Sequence, residues 1–362
     1  MVIAPPAAVS PNRASSPDAA PPTERYVRQT LFAPIGPEGQ RRIGATRVLL
    51  VGSGALGGAV ADLLVRAGIG RLILADRDYV ELGNLQRQTL FDEADVAEHL
   101  PKAAAASARL RRINGDVRIE PVVADVNATN IERLASDVDL IVDGTDNFET
   151  RYLINDVAVK RGLPWVYGGV IGSYGMTMTI RPGETPCLRC VFPEPPPAGS
   201  APTCDTAGVL GPAVGMVAAL QVAEALKLAV GDVEAMNTDL LAIDVWRLSL
   251  DRIPLPAPRP DCPTCGRRDF AFLDEISPSR TTVLCGHDAV HVRVHPSVTL
   301  DLAALSARLG AIGDVRSNRY LLRFRESAGA HELTVFADGR AIVKGTTDPT
   351  EARVLYARYV GA

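Results

Sequence analysis

Hydrophobic positions alternate between two rhythms from about residue 47 onward. Short apolar runs fall at 48–51, 72–75, 117–123, 139–143 and 164–170. Between them apolar residues recur at helical spacing, as in the stretch running to about Ala67. Apolar strands alternating with amphipathic helices predict a parallel sheet covered on both faces, with ligands at the carboxyl ends of the strands. Met176 to Arg181 reads as another strand, and Asp239 to Leu250 supplies further β structure. Beyond a boundary at 270–279 the rhythm changes to β (289–294), α (300–309), β runs at 321–324, 333–336 and 341–343, and a last helix at 349–359. The fold class expected is α/β: a Rossmann-like, doubly wound, mostly parallel sheet over 24–272, then a small α+β module over 280–362.

Residues 1–23 show no such pattern. They hold six Pro, six Ala and three Ser, and read as a disordered tail. The 362 residues are 47% hydrophobic and 22% charged, ample for a buried core. A net charge of −4, with no basic stripe, excludes a nucleic-acid partner. Thr206 to Ala223 is uncharged but broken by glycines and Pro212, and Gln221, Glu224 and Lys227 continue it as a polar stripe. That predicts a buried or interface helix rather than a membrane span. With no signal sequence evident, a cytoplasmic protein is expected.

The chemistry concentrates between Arg47 and Gln88. The first β run ends in Gly52-Ser53-Gly54-Ala55-Leu56-Gly57, a helix follows, and the second β run ends at Asp76. Glycines let backbone approach a phosphate, the helix N-terminus attracts its charge, and the acid can accept from a ribose hydroxyl. Alone, this pattern usually means a dinucleotide, so an NAD-dependent oxidoreductase or a non-catalytic nucleotide-binding scaffold are the rival readings. Asp78, Asn84, Arg87 and Gln88 follow at once, then Lys102 behind Pro101, then Asp143 and Thr145-Asp146-Asn147 after another strand. A dinucleotide has little use for so many cations and acids. ATP with Mg²⁺ needs cations for the departing pyrophosphate and an acid for the metal.

Two Cys-x-x-Cys pairs, Cys187/Cys190 and Cys262/Cys265, are each flanked by Pro or Gly. Together they form a tetrahedral ligand set for structural Zn²⁺ that clips the end of the main unit onto its middle. Neither pair opens a helix after a strand, as a redox pair would. Cys285, His287, His291 and His295 are a weaker metal set, because a spacing of four along a strand separates side chains by about 13 Å.

GSGALGG, DRDYVELGNLQRQ, PKA and DGTDN resemble, in order and spacing, the ThiF/MoeB/HesA adenylyltransferases, bacterial relatives of the ubiquitin-activating enzymes. The resemblance covers roughly Glu24 to Phe270. It departs at Ala55, where many members carry a third glycine; a methyl is tolerated if that residue lies in the helical turn. It implies ATP-dependent adenylylation of the C-terminal Gly-Gly carboxylate of a small ubiquitin-like sulfur-carrier protein. Gly52 and Gly54 would offer amides to phosphate, Asp76 would hold the ribose, and Asn84 and Gln88 would orient phosphates. Arg87 and Lys102 would neutralise pyrophosphate, and Asp146 would place Mg²⁺, leaving Asp143 as a turn residue. Arg28 matches an arginine that reaches the neighbouring subunit's ATP, which implies a homodimer. The nucleotide half would span about 24–170, the carrier-binding and zinc half 171–272. Cys204, after the proline-rich segment 193–200, matches a cysteine that in some members bonds to the carrier or its sulfur, and so implies a sulfur donor protein. Both thiamine-type (ThiS-like) and molybdopterin-type (MoaD-like) carriers fit. The text of the C-terminal module, around Leu284-Cys285-Gly286 and 344–348, tilts the reading toward the former.

Overall fold

The computed structural model describes residues 24–196, 204–274, 281–284, 288–292, 299–326 and 331–361, the side chains of 204, 205 and 281–284 aside. The expected N-terminal tail, the tip of the proline-rich loop, Cys285, His287 and His295 lie outside the described residues.

Eight strands form the main sheet in the order β3-β2-β1-β4-β5-β6-β7-β8. They are β1 (Arg47–Val51), β2 (Arg71–Asp76), β3 (Arg118–Val123), β4 (Leu140–Asp143), β5 (Trp165–Ile171), β6 (Tyr174–Ile180), β7 (Asp239–Asp244) and β8 (Ser249–Pro254). The first five run parallel, the central ones as near-continuous apolar runs and β3 as a partly exposed edge, and β6 to β8 add on antiparallel. The single β stretch expected over 239–250 is therefore a hairpin, turning between Asp244 and Ser249. Side-chain alternation sends Val48, Leu50, Leu72 and Leu74 to one face and Leu49, Val51, Ile73 and Ala75 to the other, and both sets are buried.

The first face is covered by α1 (Gly36–Ala45), α2 (Ala55–Ala67), α3 (Lys102–Ile113) and α5 (Gly211–Val230); the second by α4 (Phe148–Arg161) and the cysteine pairs. Helix α5 is long and apolar enough to cross a membrane, but half of it is buried, and Val214, Val217, Ala218 and Val222 sit in the core. Its polar stripe is used inside: Gln221 donates to Asp143 O at 2.8 Å, and Glu224 accepts from the Thr179 hydroxyl at 3.1 Å. A buried helix is what its sequence predicts.

A second, wholly antiparallel sheet follows in the order β11-β12-β13-β14-β10-β9. Its strands are β9 (Thr281–Leu284), β10 (Ala289–Val292), β11 (Gly313–Ser317), β12 (Leu321–Glu326), β13 (Glu332–Phe336) and β14 (Ala341–Lys344). Helices α6 (Leu302–Leu309) and α7 (Pro349–Tyr359) cover one face. The other face packs on the main unit: Ala289, Leu321, Phe336 and Ile342 surround Tyr79, with Val123 beside them. His291 is a buried residue of β10, and among the described residues it joins no metal-ligand cluster.

Candidate active site

In the parallel part of the sheet β1 sits between β2 and β4, with Val51 level with both Ala75 and Asp143. The next residues, Gly52, Asp76 and Gly144, therefore share one rim at the switch point of the strand order, where such sheets bind ligands. Gly52 has φ of 92°, and a Cβ there would lie 2.5 Å from Gly144 O, so only glycine fits. Its N–H donates to Ala75 O at 2.7 Å. The expectation that Gly52 offers its amide to phosphate is thus corrected: it lets two turns pack together. Ser53 N donates to Asp76 Oδ2 (2.6 Å) and Asp78 N to Asp76 Oδ1 (2.7 Å), so the acid at the end of β2 pins both loops. Helix α2 begins at Ala55, which removes the objection to its methyl. The helix's first backbone bond runs from Gly58 N to Gly54 O at 2.9 Å, leaving the preceding amides at the N-terminus as anion donors.

Two buried side-chain oxygens beside this turn, Ser53 Oγ and Gln88 Oε1, have no hydrogen-bond partner. Gln88 Nε2 lies 3.7 Å from where a Gly54 side chain would start. Buried polar atoms are rarely left unpaired, so this cradle suits a polar, phosphate-bearing ligand. Asn84 also has a local use. Its Oδ1 accepts from Glu81 N at 3.1 Å in a reciprocal cap with Glu81, so it shapes the loop. Arg87 is half-buried, its Nη1 donating to Gly83 O at 2.9 Å.

Lys102 opens α3 and is buried, its Nζ 3.1 Å from Asp78 Oδ2 and its amide 2.9 Å from Asp78 O. Burial alone would lower the ammonium pKa, but Asp78, Asp76 and Asp146 together raise it above the ordinary lysine value. Partial burial would raise Asp78, yet Lys102 and Arg77, with Arg340 behind them, hold it well below the usual carboxylate range. Burial and then Asp78 push Asp76 up. The rim therefore gathers a firmly charged lysine and three acids.

Asp146 is the exposed one, in the turn before α4, whose first turn is capped by Asn147 accepting from Thr150 N at 2.8 Å. Asp143 is no turn residue but a fully buried strand end. It accepts from Thr145 N (2.8 Å), the Thr145 hydroxyl (2.7 Å) and Arg151 Nε (3.1 Å). Arg151 also donates to Thr145 O at 2.7 Å and Gly168 O at 3.1 Å, and so fixes the turn that presents Asp146. The sequence reading missed Arg151. Its signal was a cation four residues after the capping Asn147, on a helix whose neighbours are apolar.

Arg28 is exposed on the short helix Val27–Thr30. The neighbouring Gln29 donates to Ala67 O at 3.0 Å, at the far end of the 13-residue α2. A helix of that length spans about 20 Å, so Arg28 lies at the rim opposite its own chain's site. Cys204 begins the helical turn Cys204–Ala207, and its side chain lies outside the described residues. The segment after it is tied to the β5–β6 turn by Gly172 N to Gly208 O and Leu210 N to Gly172 O, both 2.8 Å, on the same rim as Gly52.

On the far face, Cys187, Cys190, Cys262 and Cys265 have all four sulfurs within 4.8 Å of one another, with Sγ–Sγ distances of 3.9, 3.6 and 3.3 Å among them. A tetrahedral zinc tetrathiolate requires about 3.8 Å between sulfurs, so the set fits that ion. Burial pushes the Cys187 thiol up to about 12; at Cys262 burial is outweighed by the Cys265 amide together with hydrogen bonds from the Cys187, Cys190 and Cys265 side chains, bringing it to about 7. Both knuckles hang on α4: Leu188 N donates to Asn155 Oδ1 (2.8 Å), the Thr264 hydroxyl to Asp156 Oδ1 (3.0 Å), and Phe272 N to Asp156 Oδ2 (2.9 Å).

A glycine turn, an acid-ended second strand and a lysine–carboxylate rim on a parallel sheet define a nucleotide-binding α/β protein, here with a four-cysteine clip on its other face. The chain belongs to the ThiF family, whose model matches residues 26–264. The sulfur carrier protein ThiS adenylyltransferase of Bacillus subtilis is 46% identical over 341 residues, 94% of this chain and 100% of the relative. The SAMP-activating enzyme E1 of Haloferax volcanii is 40% identical over 253 residues, 70% of this chain and 92% of the relative. The fold is also that of E. coli MccB solved with ATP, at a TM-score of 0.59 and 22% identity over 68% of this chain and 75% of that one. The family and fold expected from the motifs are those found.

Proposed function

We propose that the chain adenylylates the C-terminal Gly-Gly carboxylate of a small ubiquitin-like sulfur-carrier protein, using ATP. The observation that carries this is the Lys102–Asp78 pair beside Asp76 and Asp146, all at the rim of the glycine turn. Relatives named as sulfur-carrier adenylyltransferases support the reading. In the reaction the carboxylate oxygen bonds to the α-phosphorus as the bond to the bridging β-phosphate oxygen breaks. The products are acyl-adenylate and pyrophosphate. Amides from Gly54 onward hold phosphate, Asp76 faces the ribose, and Gln88 completes the cradle. Lys102 exchanges Asp78 for the leaving pyrophosphate, with Arg87 at the edge; catalysis is positioning plus charge neutralisation.

Asp146 is the residue to hold Mg²⁺, which when bound screens the phosphate charges. The four cysteines hold Zn²⁺ in a structural role. Arg28 serves the site of a second copy, since it lies too far from its own, so the working unit is a homodimer. Cys204 serves to meet the activated carbonyl or the sulfur delivered by a donor protein. A ThiS-like carrier is preferred to a MoaD-like one, and ATP with reduced thiols fits a cytoplasmic setting. The test is ATP–pyrophosphate exchange with each carrier from the same genome, with and without its terminal Gly-Gly. Exchange that needs the intact carrier supports the reading; exchange without carrier, or none with any, contradicts it.

A further inference from the structure

The loop from Arg77 to Glu81 carries Asp78 and follows Asp76 directly, and the C-terminal sheet clasps it from outside. Arg340 is 3% exposed. Its Nη1 donates to the Arg77 carbonyl, its Nε donates to Asp338 Oδ2 at 2.9 Å, and its guanidinium lies 3.6 Å from the Phe336 ring centroid. Lys344 pairs with Glu81, and its Nζ lies 5.3 Å from the centroid of the buried Tyr79 ring. The other side of the site is held too. Asn318 Nδ2 donates to Glu98 O (3.1 Å) and His99 O (3.3 Å), just before Pro101 and Lys102. Tyr79 bridges to Pro101, and Val80 N donates to Leu100 O at 2.9 Å. The two segments that meet in the Asp78–Lys102 pair are thus bound to each other and both to the second sheet.

Apolar residues would suffice merely to cover Tyr79. A buried guanidinium is a costly way to join two surfaces, and its worth lies in direction: it fixes one carbonyl between two acids. We propose that the C-terminal sheet is a positioning element of the nucleotide site, with Arg340 and Lys344 as positioning residues that set Asp78 and Lys102 against the triphosphate. This rests on the reading of that rim as an ATP site.

The test compares full-length Arg340→Met, Lys344→Met, Lys344→Arg and Arg353→Ala, the last an exposed site on α7. The readouts are ATP affinity by calorimetry and carrier-dependent exchange with ATP and carrier varied separately. The methionine variants should raise KM for ATP and lower kcat, each about tenfold, because small misplacements of charge are costly at phosphate. KM for the carrier should stay unchanged, Lys344→Arg should recover most of the loss, and Arg353→Ala should match wild type. If Arg340→Met does not fold, the Lys344 pair decides. Wild type that binds ATP, with Lys344→Met indistinguishable from it or losing both substrates alike, overturns the proposal alone. Wild type that binds no ATP overturns the site reading and the proposal with it.

Discussion

The nucleotide rim and the four-cysteine clip are served by the same helix and are built in opposite ways. At the N-terminal end of α4, Asp146 is exposed, and beside the neighbouring turn Ser53 Oγ and Gln88 Oε1 are buried without partners. Two turns along the helix, Asn155 and Asp156 are fully buried, and three donors from the knuckles are satisfied by their side-chain oxygens. One end keeps polar groups unspent for a ligand, and the other spends them on the fold. Substitutions should divide accordingly: chemistry lost without stability at the rim, stability lost without specific chemistry at the clip.

The largest effect belongs to the clip. Cys262→Ser should release zinc and cost on the order of 5 kcal/mol or more of stability, read by elemental analysis and thermal unfolding. Unchanged unfolding, or wild type without zinc, would end the structural role. Arg151 sharpens the comparison by standing between the two regions. Removing it leaves Asp143 buried without its cation, so Arg151→Met should cost about 3–5 kcal/mol in urea denaturation and also displace Asp146. A variant as stable as wild type would show that the Asp143 ion pair is dispensable.

Next comes Asp146→Ala. Its exchange rate should fall by two or more orders of magnitude, about 3–4 kcal/mol of transition-state stabilisation, with unfolding unaltered. Equal losses in exchange and in stability would erase the distinction between the regions. The smallest effect is expected at Cys204. Cys204→Ala should keep exchange within a few-fold of wild type but lose any reductant-releasable adduct with the carrier, seen by intact mass spectrometry. If wild type forms no such adduct, the residue is a loop cysteine only.

The same division explains what the sequence disclosed. Strands β1, β2, β4 and β5 were legible because burial on both faces leaves apolar runs, β3 through its closing Pro121-Val122-Val123, and the cysteine pairs through their repeated Cys-x-x-Cys spacing. Strand β11 escaped because Asp314, Arg316 and Ser317 are exposed, leaving Val315 alone to pack on the core and too little apolar pattern to betray it. The uses of Gly52 and Asp143 were not legible either. Whether an amide or carboxylate faces a ligand or a neighbouring strand depends on partners distant in the chain, as with Gly52 and Ala75. The grip of Arg340 on Arg77 links residues 263 apart, which no local pattern encodes.

Attack of a carrier carboxylate on the α-phosphorus is tested most directly by isotope. A carrier bearing oxygen-18 in its C-terminal carboxylate is incubated with the enzyme and ATP, and the acyl-adenylate is then cleaved with hydroxylamine. The account predicts one labelled oxygen in AMP and none in pyrophosphate. Label in inorganic phosphate, or AMP without label, would contradict it.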